Sequence, residues 1–286
     1  MAGDRQKLSK TLVEKLQATT PARCYYVVDG DLATVGDIKQ ILGSNINIYE
    51  SITDAVGAAT TKQGDIVYIL PGSYTPTASI PVTKHNLRIV GLSGDGRGSD
   101  VSITGASTAD EIFNVSADKV SFEGLRMNCY STTKNGITIA ESAVCFYTTI
   151  KNCTFRDGAV QVLANSILDA PNLRVENCFS YAPTTSFVDA NASMAEVRNN
   201  VVDCMTTACT ACIRMSNAGV VSSRDNMLVD NNIIMGNAVA AIGIQGGGGD
   251  NVVFSRNLCS ECTDDLEGTY IPILNYDETS GGTLLT

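Results

Sequence analysis

The chain has 286 residues, enough for one long solenoid or two domains of average size. Its net charge of −10 argues against a nucleic-acid groove, which needs a basic footprint, and no run is long and apolar enough to predict a membrane-spanning helix. Hydrophobic residues make up 44% and aromatic residues only 6%, with no tryptophan, which favours a narrow core of stacked aliphatic side chains.

Residues 1–47 are predicted to form an N-terminal arm. Leu8, Leu12 and Leu16 share one apolar face of a predicted short helix. Charged residues run through residues 1–18, so no secretion signal is predicted. A strand is expected at residues 24–28 and a second short helix at residues 35–42. We expect this arm to anchor the protein to a partner.

An amphipathic helix is predicted over residues 49–59. It places Ile52, Ala55, Val56 and Ala59 on one side. The sequence GDIVYILPGSYT follows at residues 64–75 and predicts a strand that runs into a turn.

A short phrase then recurs: a β-branched or aromatic residue, a polar residue, one or two asparagines or a glycine, and apolar residues again. Successive starts lie between 22 residues (175 to 197) and 33 residues (89 to 122) apart. Self-similarity in this range indicates a repeat architecture, and because each unit is made of strands we predict a parallel β-helix. The phrase begins at Ile89, Phe122, Ile150, Val175, Val197, Val229 and Phe254.

The asparagine position of the phrase predicts a tight turn that stacks from coil to coil. Asparagine tolerates the left-handed backbone region, and stacked amides can bond one another. Asn177 and Asn199 are therefore expected either to be locked in the turn or to face inward. Gly91 and Gly124 are expected to occupy the equivalent turn in earlier coils. Cys153 and Cys178 would stack on successive coils. A β-sandwich with ordinary asparagine turns is the alternative interpretation.

A helix followed by GDIVYILPGSYT resembles the opening of right-handed parallel β-helix proteins of the pectin-lyase-like superfamily. The resemblance implies an all-β solenoid over residues 48–265, whose N-terminal end is capped by the helix. Residues 266–286 would cap the other end or extend away from it. The superfamily includes polysaccharide lyases, glycoside hydrolases and pectin esterases.

No catalytic residue is predicted. His85 is the single histidine and lies in an expected surface turn. Asp264 and Asp265 are an adjacent pair of aspartates, and a strand would direct them to opposite faces. Asp157 and Asp169 lie on coil turns outside any repeated acidic frame. An enzyme, either a polysaccharide lyase or a glycoside hydrolase, remains the second interpretation.

No cofactor or metal site is predicted either. Residues 209–212 and 259–262 are both CxxC motifs, but the expected separation of about two coils, roughly 10 Å, is too long for one zinc ion with Zn–S bonds near 2.3 Å. The ten cysteines are expected to be thiols, mostly in the core. The glycine-rich segments 94–100 and 246–250 are interpreted as turns.

These observations favour a structural protein of a bacteriophage particle: a β-helix scaffold, no recoverable active site, no secretion signal and a helical arm. A head decoration or cement protein on the capsid surface is expected, because most of the chain is coil; a tailspike or a glycan-binding or glycan-cleaving protein is the alternative. The expected partners are the major capsid protein and two further copies of the chain in a homotrimer, with host glycans for the alternative. The expected location is the virion, after assembly in the host cytoplasm.

Overall fold

The computed structural model describes most of the chain beyond the N-terminal arm. The described residues are 23–30, 36, 39, 47–61, 63–92, 100–107, 109–129, 131–139, 145–164, 170–190, 192–204, 209–215, 226–236, 242–246, 252–262, 264–268, 271–273, 275–277 and 283–285. The predicted helices at residues 1–20 and 35–42, Asp169 and the glycine-rich segments fall wholly or largely outside them.

The described residues form short strands and one helix, α1 (Ile52–Ala58). The strands, in chain order, are β1 (Cys24–Val27), β2 (Asn47–Tyr49), β3 (Ile66–Ile69), β4 (Gly72–Tyr74), β5 (Ile80–Val82), β6 (Arg88–Gly91), β7 (Val101–Thr104), β8 (Glu111–Val115), β9 (Ser121–Glu123), β10 (Arg126–Asn128), β11 (Asn135–Ile139), β12 (Thr149–Lys151), β13 (Thr154–Arg156), β14 (Val160–Ala164), β15 (Arg174–Glu176), β16 (Phe179–Tyr181), β17 (Ser186–Ala190), β18 (Glu196–Arg198), β19 (Val201–Asp203), β20 (Ala211–Met215), β21 (Met227–Asp230), β22 (Ile233–Met235), β23 (Ile242–Gly246), β24 (Val252–Ser255), β25 (Leu258–Ser260), β26 (Asp264–Gly268), β27 (Ile271–Ile273), β28 (Asn275–Asp277) and β29 (Thr283–Leu285).

These strands lie in three sheets that are parallel except for the last strand, and from β3 to β28 the chain visits them in strict rotation. Sheet A has the order β2-β1-β3-β6-β9-β12-β15-β18-β21-β24-β27. Sheet B has the order β29-β28-β25-β22-β19-β16-β13-β10-β7-β4, and sheet C has the order β26-β23-β20-β17-β14-β11-β8-β5. Each strand therefore pairs with its equivalents in the previous and next coils, which confirms the predicted parallel β-solenoid.

The core is a set of columns of identical register that run along the coil. In sheet A the first residue of each repeat phrase stacks on the first residue of the phrase in the next coil. Every member of this column is 0% exposed. This column contains Val67, Ile89, Phe122, Ile150, Val175, Val197, Val229 and Phe254. Strand residues on either side of the column alternate outward, as the period of two requires.

A two-residue turn joins sheet A to sheet B in successive coils. Its first residue is in the left-handed region, with φ of 54° at Asn152, 55° at Asn177 and 57° at Asn199. This confirms the turn-locking predicted for Asn177 and Asn199. Gly124 is also left-handed (φ 64°), but Gly91 ends β6 without a positive φ, so the turn predicted there is wrong. Gly91 is required instead because a Cβ atom would lie 2.1 Å from the Gly124 carbonyl oxygen.

The second residue of the turn points inward and forms the buried ladder. Its members, from coil to coil, are Leu125, Cys153, Cys178, Asn200, Asn232, Asn257 and Asn275, none more than 3% exposed. Asn232 shows the pattern: its Nδ2 donates to Val197 O (3.0 Å) and to Asn257 Oδ1 (2.9 Å), while its backbone N–H donates to the same Oδ1 (3.0 Å). Every amide group of the ladder is thus satisfied between coils.

Helix α1 packs where the coil begins. Ser51 caps it by accepting the Asp54 N–H at 3.3 Å, and the predicted apolar side is buried at Ile52, Ala55 and Val56. The helix contacts β5, the end strand of sheet C, as well as β1–β3. Its role as a cap remains a prediction. Within the described residues no helix has the length and apolarity needed to cross a membrane.

The parallel ladder runs past residue 265. Strand β27 pairs with β24 in sheet A, and β28 pairs with β25 in sheet B. Asn275 supplies one more rung of the buried ladder by accepting from Asn257 Nδ2 at 3.0 Å. Strand β29 then pairs antiparallel with β28 at the edge of sheet B.

Candidate functional site

The described acidic and histidine candidates from the sequence lie in different turns and strands of the coil. His85 lies in the turn between β5 and β6, where its Nδ1 accepts the Asp118 backbone N–H at 3.1 Å. Asp157 lies in the turn after β13 with φ of 57°, beside Arg156. Asp264 and Asp265 are consecutive residues of β26.

A buried acid–base pair that the sequence did not indicate lies in sheet C. Asp189 of β17 and Arg214 of β20 are register partners and form a direct ion pair. Asp189 is 1% exposed, although it alternates with the core residues Val188 and Ala190. Gln245 occupies the same column one coil later. A buried charge is costly unless an opposite charge lies beside it. The ion pair and Gln245 therefore make this column a distinct polar feature of sheet C.

The outer face of sheet A carries charges that are paired along the coil. Glu123 lies 3.5 Å from Arg88 and 3.2 Å from Lys151. Glu176 accepts two hydrogen bonds from Arg198, which raise the pKa of that guanidinium further. The ladder of opposite charges neutralises this face.

The outer face of sheet B carries an apolar row instead. Phe179, Val201, Ile233 and Leu258 are successive register partners in the first column of the sheet. Phe179 is 39% exposed, Ile233 44% and Leu258 38%. A groove of about 350 Å³ adjoins the row at Phe179 and Val201. Single exposed apolar residues are ordinary, but an aligned row is a candidate contact surface.

The cysteines, all ten of which are thiols, show one cluster. Cys209 and Cys212 of the first CxxC lie with Cys204, and the three sulfur atoms are within 4.8 Å of one another. Cys259 lies in β25, with its register partner Ile234 in the sheet B core column. Sequence reasoning missed Cys204, although its spacing to the first CxxC motif, C-x4-C-x2-C, is a local signal that could have found it. Cys153 and Cys178 stack on successive coils, as predicted.

No protein-family model and no curated protein matches this chain. Among solved structures, a pectin methylesterase in complex with a hexasaccharide is similar with a TM-score of 0.54 at 12% identity, over 85% of this chain and 80% of that chain. The pectate lyase Pel9A is similar with a TM-score of 0.52 at 13% identity, over 88% and 80%. The protein ORF18 of Geobacillus virus E2 aligns at a TM-score of only 0.31 and 15% identity, over 79% and 56%.

The likeness to the esterase and the lyase shows the fold. The chain folds as a right-handed parallel β-helix, as these two enzymes do. At these identities the comparison carries no activity across, since one fold hosts many unrelated functions.

Proposed function

We propose that this chain is a structural protein of a bacteriophage particle, a head decoration or cement protein that self-associates through sheet B. The apolar row Phe179, Val201, Ile233 and Leu258 is the observation that carries the proposal. Removing exposed apolar surface of this kind from water lowers the free energy by about 25 cal/mol per Å². A protein–protein contact is the means of burying it.

The geometry of the row supports association of identical copies. Its members share one register, so they lie on a line along the coil, about 4.8 Å apart. Three copies arranged around an axis parallel to the coil would each present this line to the axis. Closed cyclic symmetry of this kind is the usual form of a homo-oligomer, and we propose a homotrimer.

Attachment to the particle is assigned to the remainder of the surface and to the part of the arm that precedes β1, since β1 itself is a strand of sheet A with Tyr25 and Val27 in the core. The major capsid protein is the proposed partner and the virion the proposed location. The neutralised outer face of sheet A and the row on sheet B then serve different neighbours, because one offers paired charges and the other apolar area.

Co-assembly tests the proposal directly. The full chain is mixed with capsid shells assembled from the major capsid protein of the same genome, and the shells are sedimented. We expect saturable co-sedimentation at a fixed number of copies per shell. A chain that stays in the supernatant at every concentration contradicts the capsid assignment.

A carbohydrate-active or glycan-binding β-helix, including a tailspike, is the second candidate. The buried Asp189–Arg214 pair beside Gln245 is the observation that favours it, because a column of acidic, basic and amide groups on a sheet is suited to hold polar ligands. Glycoside hydrolysis needs two carboxyl groups across the bond, and the two acidic residues of this column, Asp189 and Glu267, lie three coils apart, so a lyase, an esterase or a binding site fits better. Incubation with acidic and neutral polysaccharides, followed by product analysis, tests this candidate. Activity in the wild type that Asp189→Asn abolishes would support it.

A further inference from the structure

Three buried thiols converge at the corner between sheets B and C. Cys204 follows β19, and Cys209 and Cys212 lie at the start of β20. The Sγ–Sγ distances are 3.0 Å from Cys204 to Cys209, 3.3 Å from Cys204 to Cys212 and 3.3 Å from Cys209 to Cys212. Each residue is at most 1% exposed. The repeat itself does not require these three thiols to meet. They meet in this coil, and the equivalent described corners of the earlier coils have no such group of three.

A fourth thiol reaches the same group from two coils away. Cys262 follows β25, is 2% exposed and interacts with the Cys212 thiol. The intervening coil has Gly236 at this corner, where a Cβ atom would lie 2.3 Å from the Glu261 carbonyl oxygen, so the glycine lets the backbone that leads into Cys262 approach closely. Cys262 therefore reaches the cluster, whereas Cys259 of the same CxxC motif lies in the sheet B core column beside Ile234.

We propose that Cys204, Cys209, Cys212 and Cys262 form a structural site for one zinc ion. Tetrahedral zinc with Zn–S bonds near 2.3 Å has sulfur atoms roughly 3.8 Å apart. The three sulfur atoms lie inside that distance, so binding needs them to move outward by less than about 1 Å. Soft thiolate ligands select zinc over hard cations such as magnesium or calcium.

Zinc binding would exchange thiol protons for Zn–S bonds. Each thiol would lose its proton to solvent as its bond to zinc forms, with no change in oxidation state.

The site would act on the fold rather than on a substrate. All four sulfur atoms are buried and all four ligand positions are taken by protein, which is the arrangement of closed, structural zinc sites. The ion would join the coil of β19 and β20 to the coil of β25 and β26 across the glycine corner. It would thereby pin the C-terminal half of the solenoid.

Zinc titration of the full-length protein tests the proposal. The chain is purified with a reductant, stripped with a chelator and titrated with zinc chloride. We expect one zinc per chain by elemental analysis and a higher melting temperature for the loaded form. Cobalt(II) in place of zinc should give a thiolate charge-transfer band and the intense visible bands of tetrahedral coordination, and this readout needs no variant.

The variants separate the site from a general effect of cysteine loss. Cys212→Ser should weaken zinc binding at least a hundredfold, and Cys262→Ser at least tenfold. Cys145→Ser is the matched control, since Cys145 is equally buried but donates to the Val115 carbonyl oxygen away from the cluster. It should bind zinc as the wild type does.

Three results would overturn the assignment. Absence of zinc uptake and of a cobalt charge-transfer band in the reduced wild type is the first. The second is equal loss of binding in Cys145→Ser and Cys212→Ser. The third is an unchanged cobalt spectrum in Cys262→Ser, which would remove that residue from the ligand set.

Discussion

The inner residue of the sheet A–sheet B turn determines how successive coils are joined. Where it is asparagine, one side chain bonds the coil before it and the coil after it, as Asn232 does with Val197 and Asn257. Where it is Cys178, the Sγ atom occupies the place of the amide and lies 3.8 Å from Ile150 O. The first residue of the turn is different in kind, because it is exposed and selected for its left-handed backbone.

This division predicts unequal effects for substitutions at the two positions of the turn, the buried second position and the left-handed first position. Asn232→Leu leaves several buried groups without partners, among them the Asn200 N–H, at about 1–3 kcal/mol each. We expect a loss of at least about 3 kcal/mol in the free energy of unfolding. Asn199→Leu should lose only about 1–2 kcal/mol, the cost of the left-handed region for a residue with a Cβ atom. Urea denaturation measures both, and equal losses would contradict the ladder.

The ladder can also be lengthened. Cys178→Asn would place an amide where Asn200 Oδ1 already accepts the residue 178 N–H at 2.9 Å, and it would add a donor to Ile150 O. We expect a gain of about 0.5–1.5 kcal/mol, the usual net value of one hydrogen bond. The control is Cys145→Asn, which has no ladder neighbour and should destabilise. A destabilised Cys178→Asn protein would mean that the position is shaped for sulfur.

The recurrence of asparagine at the turn could be predicted from sequence. Which asparagine of each pair is buried and which is exposed could not. In Asn199-Asn200 and Asn231-Asn232 both residues are chemically equivalent, and only the backbone geometry of the turn decides which one is buried. Asn275 lacks a preceding asparagine, so its rung was missed and the parallel ladder continues beyond the boundary set at residue 265. Cys204 was missed although it lies only five residues before Cys209, in the local spacing C-x4-C-x2-C.

At the scale of elements, the close approach of neighbouring turns constrains the strands that lead into them. Gly91 ends β6 directly over Gly124, which begins the equivalent turn one coil later. Both positions are recognisable from the sequence as glycines of the repeat. The sequence alone does not distinguish a glycine needed for a positive φ, as at Gly124, from a glycine needed for close contact with a neighbouring backbone, as at Gly91.

Gly91→Ala should therefore destabilise the protein even though its backbone angle is ordinary. The added Cβ atom would lie 2.1 Å from a backbone oxygen that cannot rotate away, and overpacking of this kind costs about 1–3 kcal/mol. Gly57→Ala is the control, since nothing lies within 4 Å of its Cβ position and it is helical. It should stabilise by up to about 1 kcal/mol. Thermal melts of the two variants should move in opposite directions, and a shared direction would contradict this account.

At the scale of the whole molecule, the three sheets present three different surfaces. Sheet A offers neutralised charge ladders, sheet C contains the buried Asp189–Arg214 pair, and sheet B displays the apolar row. The repeat explains why each surface is continuous, because register carries one chemical character from coil to coil. Such surfaces could not be assigned from sequence, since the order of sheets within a coil sets which residues share a column.

Self-association through the row is the central functional claim, and the mass of the protein in solution tests it most directly. Light scattering coupled to size exclusion should give a trimer for the wild type. The double variant Ile233→Lys with Leu258→Lys should be a folded monomer, because it places charges in half of the row, at two of its exposed members. Thr104→Lys, in the third column of the same sheet, should remain a trimer. A wild type that is monomeric at every accessible concentration, or a double variant whose mass is unchanged, would contradict the account.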